Sequence, residues 1–231
     1  MTEPSRALQV TACANQVLEE RKIFQNPYFE ALQKGALTLD DFRKTQEQFY
    51  FAVSFFPRPM AALVARIPDP KARLDILHNL LEEHGEFHPE AFHETTFRKF
   101  LKRIGSQVEN FDQLALWPEV RAFNSILTAS CVLDELEVGI SCMGIIEYSF
   151  SRISALIGKG LLQRGWLKKS DLSHYTVHEN IDTRHAEEFF VVVEPLWNRP
   201  ERRYFIEQGL KLGAYAFNRL YEDLYSAIQK K

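Results

Sequence analysis

Val138-Gly-Ile-Ser-Cys-Met-Gly-Ile-Ile-Glu147-Tyr-Ser-Phe150 is almost wholly apolar around a single carboxylate. It lies inside a longer helical stretch, from about Pro118 to Lys159, with a break expected near Leu133. Outward from it, every strong local signal is helical. Thr38 followed by Asp41 opens an amphipathic run through Phe42 to Phe56, which Pro57 and Pro59 then kink or end before Met60 to Ala65. Asp69-Pro70 is a start signal, a capping side chain followed by proline, and the helix it opens places Leu74, Leu77, Leu80 and Leu81 on one side. Pro89 starts another helix, which Gly105 closes. Ser170 caps the next, expected to run to about Trp197, and the last begins near Pro200 and reaches the C-terminus. No alternating strand pattern, repeat or low-complexity tract interrupts this. The expectation is an all-α bundle of seven to nine helices, one domain over residues 1–231.

Composition supports a sizeable core: 45% hydrophobic residues, 13% aromatic, and 18 phenylalanines in 231 residues. Net charge is −3, with Lys and Arg scattered rather than striped, so no basic face is available to neutralise phosphates and nucleic acid is not an expected partner. Met1 to Val10 is polar, without a signal-peptide apolar stretch, and no uninterrupted apolar run reaches the ~18 residues of a membrane span. Three cysteines, Cys13, Cys131 and Cys142, without framework spacing read as reduced thiols. A cytoplasmic protein with no membrane partner is expected.

Polar residues on apolar helix faces carry the functional information. Glu147 would cost several kcal/mol if buried and ionised without a partner, so it reaches an edge, pairs with a cation such as Arg152, or binds metal. In Tyr175-Thr-Val-His178-Glu-Asn-Ile-Asp182-Thr-Arg-His185, Asp182 lies about 40° round the helix from His178 and His185 about 20° the other way. Two imidazoles and a carboxylate on one stripe are a ligand set for iron, manganese or zinc, or else a solvated polar face. Asn79-Leu-Leu-Glu82-Glu83-His84-Gly85-Glu-Phe-His88-Pro-Glu-Ala-Phe-His93 offers further acids and imidazoles around a helix break. Facing helices projecting Glu, Asp and His inward are how bundles hold two metals, with about six protein ligands.

The order Glu, His, Glu, then His-x3-Asp-x2-His resembles the heme-oxygenase-like diiron oxidases. Within them it is most similar to the group that includes the chlamydial protein associating with death domains (CADD) and its TenA/PqqC-like relatives. The similarity runs from Lys34-Gly-Ala-Leu-Thr38 through Phe55-Phe-Pro57 and Asn79-Leu-Leu-Glu-Glu83 to His178-Glu-Asn-Ile-Asp182-Thr-Arg-His185-Ala. The resemblance implies a heme-oxygenase-like fold with two iron ions, for which manganese or zinc can substitute. The implied ligands are Glu83, His93, Glu147, His178, Asp182 and His185, with His84 and His88 left as exposed loop residues. It also implies oxidation of a small organic molecule by dioxygen, with Glu83, Glu147 and Asp182 close to the chemistry, and a homodimer; Tyr148, next to Glu147, is a further catalytic candidate as an electron donor to an oxidised site. One branch of the family oxidises its own tyrosine to a p-aminobenzoate precursor, using a nearby lysine. Here Phe29, next to Tyr28, takes the tyrosine's position, and Ile157 stands where the lysine would be, with Lys159 two residues on. Both are departures from the self-sacrificing pattern.

Three carboxylates against two divalent irons leave a net charge of about +1, which tolerates burial. Imidazoles must be neutral to bind, so loading is expected to weaken below ~pH 6. Arg184, Tyr148, Tyr175 and Glu187 are candidates to fix the imidazoles. Two metal-free readings compete: a thiaminase-like hydrolase using Cys142 beside Glu147, and an oxidase like the last enzyme of pyrroloquinoline quinone synthesis, which needs cations lining its pocket. A non-catalytic metal-binding protein is the remaining alternative.

Overall fold

The computed structural model describes residues 7–172 and 184–230. Nine bounded α-helices run along the described residues: α1 (Leu8–Arg21), α2 (Pro27–Lys34), α3 (Leu39–Val53), α4 (Pro57–Arg66), α5 (Ala72–Glu83), α6 (His93–Arg103), α7 (Pro118–Val132), α8 (Leu136–Gln163) and α10 (Pro200–Gln229). Residues 184–193, designated α9, are helical too, and the described residues contain no strand. The expected punctuation is in place. Thr38 and Asp41 form a reciprocal capping box on α3, and Asn26 with Pro27 opens α2. The break near Leu133 separates α7 from α8, where the Arg66 guanidinium holds the exposed turn through the Cys131 and Asp134 carbonyls.

The opening stretch forms the axis of the bundle. Every residue from Glu137 to Glu147 is buried, as a helix that is apolar all round requires. By length and composition α8 could cross a membrane, but 78% of its most apolar window is buried inside the protein, so it is the central core helix. α10 crosses it closely. A Cβ on Gly209 would lie 2.4 Å from the Val138 carbonyl oxygen, and one on Gly213 2.4 Å from that of Cys142. α9 presses against the next turn, because a Cβ on Gly144 would meet the Phe190 ring at 2.7 Å and Phe189 at 2.9 Å. That contact sets α9 one turn below Glu147.

Two local expectations are corrected. The leucine side of α5 is not its buried side. Leu74 is 62% and Leu77 41% exposed, while Ile76, Asn79 and Glu83 face inward. Leu74 lies roughly 160° from Ile76 round the helix, so the two stripes cannot both be buried. Pro89 begins only a 3-10 turn, Pro89–Ala91, and α6 starts four residues later at His93. The chain first has to turn back through Gly85, Glu86 and Phe87, all at positive φ.

Candidate metal centre

Four of the six expected ligands converge on one buried place. Glu83 is the last residue of α5, His93 the first of α6, Glu147 lies mid-way along α8 and His185 near the start of the described part of α9. Glu83, Glu147 and His185 are buried, each offering a ligand atom within 4.8 Å of the others. His93 Nδ1 is 2.7 Å from Glu83 Oε1. His185 Nδ1 is 4.0 Å from Glu147 Oε2, and the two imidazole centroids are 6.5 Å apart.

The convergence has local causes. Glu83 and His93 are ten positions apart, yet in contact because the intervening loop doubles back on itself. Gly85, at φ 53°, permits this: a Cβ there would lie 2.6 Å from the Ala91 carbonyl carbon. The packing at Gly144 brings α9 against α8, so that His185 arrives beside Glu147. Two carboxylates this close and this deeply buried repel one another, and a cation between them would relieve the repulsion. Two carboxylates and two imidazoles are donors that suit iron, manganese or zinc. The residues present therefore fit a metal centre.

A second layer of charged groups surrounds this one. His185 Nε2 is hydrogen-bonded to Glu82 Oε2, and Arg184 donates to both Glu82 oxygens. Burial pushes the Glu82 carboxyl up, but the hydrogen bonds from Arg184 and His185 outweigh it and hold the group below the usual carboxylate range. One turn away along the same helix pair, His78 Nδ1 is 3.0 Å from Glu188 Oε1. Burial raises the Glu188 carboxyl despite the hydrogen bond from His78.

A pocket opens against the carboxylates. Phe49, Ala52, Val53, Phe56, Phe123, Ile146, Phe150 and Phe217 line about 490 Å³ of space, part of it open to solvent, together with Glu83, His93 and Glu147. Among the described lining residues there is no lysine or arginine. Phe49, Ala52, Val53 and Phe56 are spaced three, four and seven residues apart, a helical stripe that in the sequence reads as ordinary core.

His178 and Asp182, with Tyr175, lie outside the described residues. Tyr148 is one helical step of about 100° past Glu147. Its hydroxyl donates to Asn15 Oδ1 at 3.1 Å, its ring meets Phe190, and it is not among the residues lining the pocket. Arg152 does not serve as the partner of Glu147: five residues carry it about 140° round the helix, where its guanidinium stacks on Phe24 at 3.7 Å. His84 and His88 are exposed, as expected. Tyr28 is fully buried, its hydroxyl bonded to Thr45 Oγ1 at 2.6 Å and accepting from Gln46 Nε2 at 2.9 Å. Phe29 packs on Tyr221 with centroids 4.6 Å apart; Ile157 is buried and Lys159 exposed. Sequence reasoning missed Glu82 as the partner of His185, although the Glu82-Glu83 pair at a helix end signals two carboxylates diverging by about 100°.

The two metal-free readings fare poorly. Cys142 is fully buried, outside the pocket lining, and burial pushes its thiol up to about 12, the opposite of an activated nucleophile. The cations that an acidic substrate would need do not line the described pocket.

Comparison with known proteins agrees with this geometry. A family model described as "Iron-containing redox enzyme" matches residues 43–218. A 4-aminobenzoate synthase of Chlamydia muridarum is 23% identical over 181 residues, 78% of this chain and 75% of the relative. One from Nitrosomonas europaea is 23% identical over 81% of this chain and 79% of its own length. A 4-chloro-allylglycine synthase of Streptantibioticus cattleyicolor is 21% identical over 80% and 71%. Among solved structures, a CADD-like protein of unknown function from Nostoc punctiforme superposes with a TM-score of 0.78 at 15% identity, covering 95% of this chain and 96% of that one. A TenA homolog from Pseudomonas syringae gives 0.74 at 12% identity, over 95% and 92%. The heme-oxygenase-like helical fold expected from the sequence is the fold observed.

Proposed function

The chain belongs to the iron-containing redox enzyme family, and from that premise we propose that it is a non-heme diiron oxidase that uses dioxygen to oxidise a small, largely apolar molecule. One observation carries the reading: the buried Glu83, Glu147 and His185 set, with His93 on Glu83, adjoins a hydrocarbon pocket that Glu83, His93 and Glu147 themselves line. His178 and Asp182 would complete the ligand set.

When bound, ferrous iron supplies electrons to dioxygen, which none of these side chains can do. The residues have other tasks. Glu83 and Glu147 bring negative charge into a site where it cannot be solvated, which makes the site selective for cations. His93 and His185, arriving from separate helices, fix the spacing of the donors. Phe49, Phe150 and Phe217 give a substrate's apolar body a place against the carboxylates.

An external substrate is favoured over a sacrificed tyrosine of the chain. Tyr28 is engaged by Thr45 and Gln46 on α3, and neither it nor Phe29 lines the pocket. A small molecule, dioxygen and a second copy of the chain are the proposed partners, and the cytoplasm the proposed compartment.

The test is anaerobic reconstitution with ferrous iron, with metal analysis, in the wild-type protein and in Glu147→Ala. Close to two irons per chain, lost in the variant, and oxygen uptake by the reduced wild type are the expected results. No iron above background in either protein would overturn the proposal. Iron without oxygen uptake would favour a metal-binding protein without turnover.

A further inference from the structure

His185 is fully buried and has two ring nitrogens, one directed at Glu82 and the other 4.0 Å from Glu147. In a neutral imidazole only one nitrogen carries hydrogen, and the hydrogen bond made by one nitrogen decides what the other can do. An ionised carboxylate only accepts. With Glu82 against Nε2, that nitrogen holds the hydrogen and Nδ1 holds the lone pair on the side of Glu147. We infer that Glu82 is a positioning residue that locks His185 as an Nδ1 metal ligand, with Arg184 holding Glu82 in place.

The inference rests on the reading that Glu83, Glu147 and His185 bind metal. Its support is the chain of contacts itself. Arg184 grips both oxygens of Glu82, so the carboxylate cannot rotate without breaking that grip. Arg184 and His185 are adjacent in sequence and diverge by about 100°, so Glu82 bridges two neighbouring side chains and ties the last turn of α5 to α9. The dipeptide Glu82-Glu83 thereby divides two tasks. Glu83 turns inward as a candidate ligand, and Glu82 turns towards α9 to set the ring plane and tautomer of another. A carboxylate on the distal nitrogen also raises the basicity of the proximal one.

Two measurements on the metal-free and zinc-loaded protein test this. Nitrogen-15 spectra of the His185 ring should show hydrogen on Nε2 before loading and zinc on Nδ1 after it. Anaerobic titration with ferrous iron should show affinity about 10–100-fold weaker in Glu82→Ala than in wild type. The loss should be smaller in Glu82→Gln, whose amide oxygen can still accept from Nε2, and Arg184→Ala should fall between Glu82→Gln and wild type. A purely structural role for Glu82 would lower thermal stability but leave the affinity and the tautomer unchanged. Affinity in Glu82→Ala within twofold of wild type, or zinc on Nε2, would overturn the inference. Should Glu82→Ala fail to fold, the wild-type spectra decide alone. Wild-type protein that binds no metal would refute the metal-centre reading instead, while the tautomer in the metal-free spectrum would still test the hydrogen bond.

Discussion

Replacing Glu147 by Gln should stabilise the metal-free protein and destroy its response to metal. Glu83 and Glu147 each offer an oxygen within 4.8 Å of the other, and both side chains are buried. Two unit charges at that separation repel by about 3.5 kcal/mol at an effective dielectric constant of 20. The imidazole of His93 against Glu83 and the polar groups around the pair offset part of this, leaving about 1–2 kcal/mol to be relieved by an uncharged amide of the same shape. For a chain of this size, 1 kcal/mol moves Tm by about 2–4 °C, so metal-free Glu147→Gln should melt about 2–8 °C above metal-free wild type. With ferrous iron at 100 times its Kd the order should reverse. Wild type gains about 2.7 kcal/mol, or about 5–11 °C, and the variant gains little. Anaerobic scanning fluorimetry of both proteins, with and without iron, gives the four melting temperatures. The reasoning fails if metal-free Glu147→Gln melts lower than wild type, or if iron leaves the wild-type Tm unmoved. Either result would mean that Glu147 is satisfied by the fold itself.

Ala52→Trp fills the pocket from α3, which carries none of the candidate ligands, so iron content should stay at the wild-type level while oxidation of any apolar substrate falls at least tenfold; substrate turnover alongside metal analysis checks both. Gly213→Ala puts a methyl group 2.4 Å from the Cys142 carbonyl oxygen and should cost about 3 kcal/mol, read as a fall in Tm of about 6–12 °C. Cys131 and Cys142 both have their thiols pushed up to about 12 by burial. An acid raised in the folded state stays protonated there while the unfolded thiol ionises, so stability is complete below about pH 8.5 and declines as pH rises towards 12. The Tm of wild type should therefore drop from pH 9 to 11 more steeply than that of the Cys131→Ala, Cys142→Ala double variant.

The helical class and the central helix were legible because they rest on local physics. A run without a polar face must be buried, and prolines and capping side chains mark where it begins and ends. Glu147 was legible for the same reason, as a charge that such a helix cannot tolerate alone. Arg152, the nearest cation in sequence, does not pair with it, because helix geometry carries the guanidinium away to Phe24. The leucines of α5 misled, since four apolar residues on one side looked like a core face, whereas Ile76, Asn79 and Glu83 on the other side are what the bundle buries. Choosing His93 over His84 and His88 required the family resemblance. The determining geometry is the reversal at Gly85, Glu86 and Phe87, where two non-glycine residues take up positive φ in a way no local signal marks. The pocket was illegible in principle: Phe49, Phe150 and Phe217 have the same side chain as Phe42 or Phe97, and only the space beside them distinguishes a binding wall from a core.

That space and the ligands have a common origin in how the elements meet. α8 supplies one carboxylate and, at Gly144, the gap that lets α9 approach it. α5 ends where its last two residues point to different neighbours, and the tight loop after it returns His93 to Glu83. No helix contributes more than one of the four described candidate ligands, so the site exists only when α5, α6, α8 and α9 are all docked. Metal binding should then draw its free energy from the same contacts that hold these helices together. Loosening any one of them, at Gly85, at Gly144 or at the Glu82–Arg184 pair, should weaken the metal before it unfolds the protein.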